Sequence, residues 1–164
     1  MSTIALSTLD PPGYRSAIGT FATGVAVITA CDGGDEFGVT VNSLTSVSLE
    51  PLMLLVSLKR QSVSAAAILR SRRFGVSILG ADQEAVSRRF VAPVADRFAG
   101  VACDRSQGLP LIAGAVAAFV CDLERGVDAG DHTLVLGTVR LGGARAAEPL
   151  VYHRGSYARI LHAV

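Results

Sequence analysis

The chain has 164 residues, 50% of them hydrophobic and 18% charged, with a formal net charge of +1. That length fits a single domain over residues 1–164, able to bury roughly 70% of its unfolded surface without disulfides. The composition excludes intrinsic disorder, and balanced charge argues against nucleic-acid binding, which leaves a basic excess. A charged fraction below the roughly 25% usual in soluble domains points to a homo-oligomer that hides apolar surface.

The longest apolar run, residues 51–58, is too short to span a bilayer. Residues 1–10 lack the basic and long apolar regions of a secretion signal. Cys31, Cys103 and Cys121 are odd in number and include no C-x-x-C pair. They read as buried free thiols in a reducing cytoplasm.

In chain order, Asp10 before Pro11 and Pro12 starts a short helix over 11–20. The β-branched stretch 24–30 is a strand, and Asp32-Gly33-Gly34 turns it into a returning strand over 36–41. Residues 45–49 alternate polar and apolar, and 52–58 form a continuous apolar, buried strand. The alanine-rich stretch 61–71 is a helix capped by Ser62 or Ser64. A strand over 73–79 leads to a helix over 81–91 with Asp82 as cap, and then to a loop-rich stretch, 92–110. Two long strands, 115–125 and 133–142, are joined by 126–131, and short strands at 149–151 and 156–161 end the chain. Seven or eight strands against three short helices, mostly joined as hairpins, predict an antiparallel barrel.

Several chemistries lack their motif. There is no G-x-G-x-x-G after a strand, no Walker A, no H-E-x-x-H, no G-x-S-x-G, and no Cys/His cluster at metal spacing. No metal is expected, and no side chain reads as a catalytic acid, base or nucleophile.

Three polar segments fall where a barrel rim would expose them. Thr40-Val41-Asn42-Ser43 is either a plain turn or a set of donors and acceptors for a planar heterocycle. Ser57-Leu58-Lys59-Arg60-Gln61-Ser62-Val63-Ser64 runs from a strand into a helix N-terminus. Its free N–H groups, hydroxyls and cations suit a phosphate, and simple capping by Ser62 is compatible with that. Gly130-Asp131-His132-Thr133 places a histidine at a loop edge, as a ligand contact or an ordinary surface side chain. Arg88, Arg89 and Phe90, with Arg97 and Phe98, add cations and rings suited to a phosphate or to a solvated face above a core phenylalanine.

Taken in order, the segments F-A-T-G-V-A-V-I-T (21–29), T-V-N-S-L-T-S-V-S-L-E-P (40–51), L-V-S-L (55–58), F-G-V-S-I-L (74–79) and G-D-H-T-L (130–134) carry a resemblance. The chain resembles the short-chain flavin reductases, the small reductase components of two-component flavin-dependent monooxygenases. The resemblance implies a mainly β fold, a six-stranded antiparallel split β-barrel of Greek-key type with a few short helices, as a homodimer. It implies FMN or FAD as flavin, NADH or NADPH as hydride donor, and a separate monooxygenase as recipient of reduced flavin. Thr40, Val41, Asn42 and Ser43 would meet the flavin ring and ribityl chain, with Ser57 and Leu58 beside the ring. Ser62 and Ser64 would meet the phosphate, with Arg89 and Phe90 near it and Arg97 assisting. His132 would touch the nicotinamide, and Tyr157 would line the same side. Many relatives carry alanine where Val41 stands, which would narrow the flavin pocket here. Hydride transfer between two bound rings needs no strong acid or base, in keeping with the missing triad.

Two other classes share such a barrel. A pyridoxine-phosphate-oxidase-like enzyme would want more basic residues around its substrate. A non-enzymatic flavin- or haem-binding protein would, for haem, take an axial ligand from His132, His153 or His162.

Overall fold

The computed structural model describes residues 4–161, so His162 lies outside the described residues. Helix α1 (Pro11–Ile18) opens where Asp10 accepts the N–H of Gly13 at 2.8 Å, with proline at its first turn. None of its residues is buried. The predicted strand over 24–30 divides into β1 (Thr23–Gly24) and β2 (Ala26–Asp32). Strand β3 (Asp35–Val41) returns through Gly33 and Gly34, whose φ values of +62° and +94° are ones that glycine adopts readily.

A second hairpin joins β4 (Thr45–Leu49) to β5 (Leu52–Lys59), which leads to α2 (Val63–Ser71) and β6 (Arg73–Ile78). Helix α3 (Glu84–Val91) starts after Gln83, so its cap lies one residue later than the expected cap at Asp82. The expected loop contains β7 (Cys103–Asp104), which pairs with β8 (Leu111–Ile112). Strand β9 (Ala117–Ala129), which pairs with β10 (His132–Ala144), takes up residues 126–129 of the stretch 126–131 expected to be a connector. They turn only at Gly130 and Asp131, Gly130 having φ +61°. The small strands β11 (Val151–His153) and β12 (Ser156–Ala158) pair with each other, and β1 pairs with β11.

The main sheet is fully antiparallel with seven strands in the order β3-β2-β6-β9-β10-β5-β4, where six were expected. Its two edge strands, β3 and β4, are consecutive in the chain and separated only by residues 42–44. Flat, such a sheet would hold its edges roughly 29 Å apart. Four residue steps reach about 14 Å at most. The sheet therefore curls until its edges meet, although no backbone ladder joins them and the barrel stays open there.

Inside the curl lie Ala26, Ile28, Val56, Leu58, Phe74, Val76 and Val135, plugged by Ala65, Ala67 and Ile68 of α2. Outside, Val25, Val27, Leu79, Phe90, Ile112 and Leu150 form a second cluster beneath α3. Strand β2 is thus covered on both faces, which explains why its sequence is continuously small and apolar instead of alternating. Strand β5 reads the same way in sequence but alternates in the structure. Leu54, Val56 and Leu58 are buried, whereas Leu52, Met53 and Leu55 are only partly covered or exposed.

All three cysteines are free, but only Cys121 is buried; Cys31 and Cys103 are half-buried, contrary to the sequence expectation. Burial pushes the Cys121 thiol up to about 12. Alkylation of native protein near neutral pH is expected to spare Cys121 while denatured protein reacts at all three thiols. Peptide mapping checks this, and early labelling of Cys121 would contradict its buried position.

Candidate functional site

At Val41 the chain leaves β3, and after three intervening residues it enters β4 on the opposite edge. Ser43 bridges the seam. Its Oγ accepts the N–H of Ser57 at 3.1 Å and donates to the Ser57 carbonyl at 2.9 Å. Thr45 pairs with Leu55 in the β4–β5 ladder, so Ser43 stands opposite Ser57 in the same register. A hydroxyl thus replaces the main-chain partner that a continued β4 would supply.

A cavity of about 440 Å³ opens at this seam. Thr40, Val41, Asn42 and Ser43 form one wall and Ser57, Leu58 and Ser62 another, with Phe90, Arg97 and His132 completing it. The structure brings these predicted residues together. Val39 and Val91 also line it and were absent from the predicted set, as does Lys59, which the sequence offered only as one of two cations beside a helix N-terminus. Lys59 lies directly opposite His132 in the β5–β10 ladder. The lining combines apolar side chains with hydroxyls, an amide and two cations, and among the described residues it holds no carboxylate.

Ser64 and Arg89 do not line this cavity. Ser64 is buried in the first turn of α2, its hydroxyl without a partner. Arg89 donates to the carbonyls of Arg97 and Asp96 at 2.9 and 2.8 Å. Phe90 is fully buried, edge-on to Phe98 with centroids 5.0 Å apart. A Cβ at Gly38 would run into the Phe90 ring, so glycine lets β3 and α3 approach closely.

Tyr157 falls in an adjoining cavity of about 540 Å³, separate from His132. The two cavities share Thr40, Val41, Asn42 and Val91. Ser87, Tyr152 and Gly155, all missed in the sequence, line this second space together with Arg88, which the sequence offered as one of the cations near Phe90. Tyr157 shares a hydrogen bond with Ser87 at 2.9 Å and meets Tyr152 edge-on at 5.5 Å, with the Arg88 guanidinium 4.9 Å from its ring centroid. Thr40 Oγ1 donates to the Ser87 carbonyl at 2.8 Å, tying the shared wall to α3. A further cavity of about 520 Å³, beside β8 and the end of β10, holds none of the predicted residues.

His132 Nδ1 lies 2.7 Å from Asp131 Oδ1. That hydrogen bond is the main reason the Asp131 carboxyl sits below its usual range. With Nδ1 donating to the carboxylate, the neutral ring keeps Nε2 as an acceptor. The ionised Asp131 carboxylate that accepts Nδ1–H is lost as pH falls through the Asp131 titration.

The Flavin reductase like domain model matches residues 18–161. The chain belongs to this family. It is 40% identical over 150 residues to a probable flavin reductase of Rhizobium meliloti, covering 90% of this chain but 48% of that protein. It is 35% identical to the reductase component of a Rhodococcus opacus 4-nitrophenol 4-monooxygenase/4-nitrocatechol 2-monooxygenase, covering 95% of this chain and 84% of the relative. Among solved structures it is similar to a Streptomyces globisporus NADH:FAD oxidoreductase in complex with NAD and FAD fragments. There the TM-score is 0.89 at 35% identity, over 95% of this chain and 98% of that one.

In this flavin reductase-like domain, Ser43→Ala leaves the Ser57 N–H and carbonyl without their partner. The expected loss is about 1–3 kcal/mol of stability, read from urea unfolding. A variant as stable as the parent would show that the seam does not depend on the hydroxyl.

Proposed function

We propose that this chain uses NADH to reduce FMN or FAD, bound in the seam cavity, and releases the reduced flavin to a separate monooxygenase. The carrying observation is the cavity itself. Its lining has apolar side chains from Val39, Val41, Leu58 and Phe90, hydrogen-bonding groups at Thr40, Asn42, Ser43 and Ser57, and cations at Lys59 and Arg97. That donor set fits a flat heterocycle with a polar edge and a phosphate tail. When bound, the flavin supplies the ring atom that takes hydride from NADH.

The chain's own residues bind and orient. The main chain of residues 42–44, outside both ladders, offers N–H and carbonyl groups to the ring edge. Lys59, Arg97 and the start of α2 at Ser62 hold the phosphate. Ser64 supports the start of that helix from its buried position. His132 accepts the nicotinamide carboxamide N–H through Nε2, its tautomer set by Asp131. Tyr157 and Tyr152 offer aromatic faces to the rest of the dinucleotide from the adjoining cavity. No side chain here needs to gain or lose a proton during hydride transfer.

The curled sheet is the open counterpart of the family's split barrel, within a single domain over residues 1–164. A second copy of the chain covers its apolar surface. Tyr14, Phe21 and Leu49 are 61%, 70% and 78% exposed, and α1 buries none of its residues.

NADH consumption should require added flavin, checked with FMN, FAD and riboflavin in turn. His132→Ala should raise the NADH KM about five- to tenfold, the loss expected of one hydrogen bond, with flavin affinity unchanged by fluorescence titration. An unaltered NADH KM would remove His132 from the dinucleotide site.

A further inference from the structure

The loop that follows α3 is held by two arginines through main-chain carbonyls. Arg89 Nε donates to the Arg97 carbonyl at 2.9 Å and a terminal nitrogen to the Asp96 carbonyl at 2.8 Å. Arg97 in turn donates from Nη1 to the Gly38 carbonyl at 2.8 Å and from Nε to the Ala92 carbonyl at 3.3 Å. The Asp96 carboxylate accepts the N–H groups of Phe98 and Ala99 at 2.8 and 3.0 Å, closing the turn. Neutral carbonyls orient a guanidinium without cancelling its charge. Of the two arginines, only Arg97 lines the seam cavity.

We infer that Arg89 is a positioning residue, which acts on a phosphate-bearing flavin through Arg97 and not by touching it. This rests on the flavin reading of the seam cavity. The guanidinium fork of Arg89 spans two successive carbonyls and so fixes the backbone from which Arg97 springs. A lysine, as a single point of donation, cannot hold both. Phe90, the next residue of α3, is packed against Gly38, whose carbonyl receives Arg97. Strand, helix and loop therefore form one clamp with Arg97 as its face toward the ligand.

The inference sets Arg89 apart from a second phosphate ligand by a double-mutant cycle. Affinities for FMN and for riboflavin, which lacks the phosphate, are measured by fluorescence titration on the full chain and on R97A, R89A, R89K and R89A/R97A. Arg97→Ala should lower the preference for FMN on the order of tenfold, the scale of one charge-assisted hydrogen bond. Arg89→Ala and Arg89→Lys should both lower it several-fold, and R89A/R97A should be no worse than R97A. A preference retained by Arg89→Lys, or a double mutant whose loss is the product of the single losses, would mean that Arg89 meets the phosphate directly and would overturn the inference. So would a variant with lowered Tm and an unchanged FMN-to-riboflavin ratio, which marks a purely structural role. A parent protein that binds flavin without preferring FMN, and is indifferent to Arg97→Ala, would overturn the phosphate placement itself.

Discussion

Three residues have to connect opposite edges of a seven-stranded sheet, and that reach limit organises the molecule. It bends the sheet until β3 and β4 meet. It also prevents residues 42–44 from joining either ladder, because a strand that crosses between edges cannot be paired with both. The seam is thus a place where main-chain groups are withheld from the sheet by geometry. Ser43 makes this affordable by giving Ser57 a hydroxyl that accepts and donates at one position. A ligand with ring nitrogens and oxygens meets main-chain groups already oriented, which lowers the ordering that binding must impose.

Rigidity around the seam comes from burial on both faces of β2. With one cluster inside the curl and another under α3, β2 and β3 cannot shift without disturbing both. Helix α3 joins this frame through Phe90 beneath Gly38 and through Thr40 on the Ser87 carbonyl. The same short stretch of β3 then walls two adjoining cavities. A two-ligand reaction benefits from one shared wall, since a single rigid element sets both ligands relative to each other.

The sequence was informative where the signal is local. Gly33-Gly34 marks its hairpin, Asp10 and the prolines mark α1, and the T-V-N-S and G-D-H-T-L segments mark positions that the fold gathers into one cavity. It was uninformative where partners are distant in the chain. Nothing near Arg89 shows that its fork is occupied by carbonyls seven and eight residues on. Ser64 looks equivalent to Ser62 in composition, yet one turns under the helix and the other faces the cavity. His132 and Tyr157 were grouped by the family resemblance, whereas β10 and β12 belong to different sheets and deliver them to different cavities. Residues 126–129 of the expected connector are strand because His132, Thr133, Leu134 and Val135 of β10 give them a complete ladder. Tertiary pairing overrides their weak strand propensity.

The distribution of charge gives the site a direction. Among the described residues, Lys59 and Arg97 are the only Lys or Arg side chains lining the seam cavity, and no carboxylate joins them there. The remaining polar lining groups are neutral, apart from a histidine whose ring is committed to Asp131. An elongated ligand that is anionic at one end and neutral at the other therefore has one favourable orientation in this cavity, and the reverse would set its anion against amide and hydroxyl groups worth less to it. On the proposed flavin reading, orientation is fixed at the tail by permanent charges, while the reacting end is left to hydrogen bonds and van der Waals contact. A reductase that released its product would need this division, since a site that gripped a reduced ring as firmly as a phosphate would keep it.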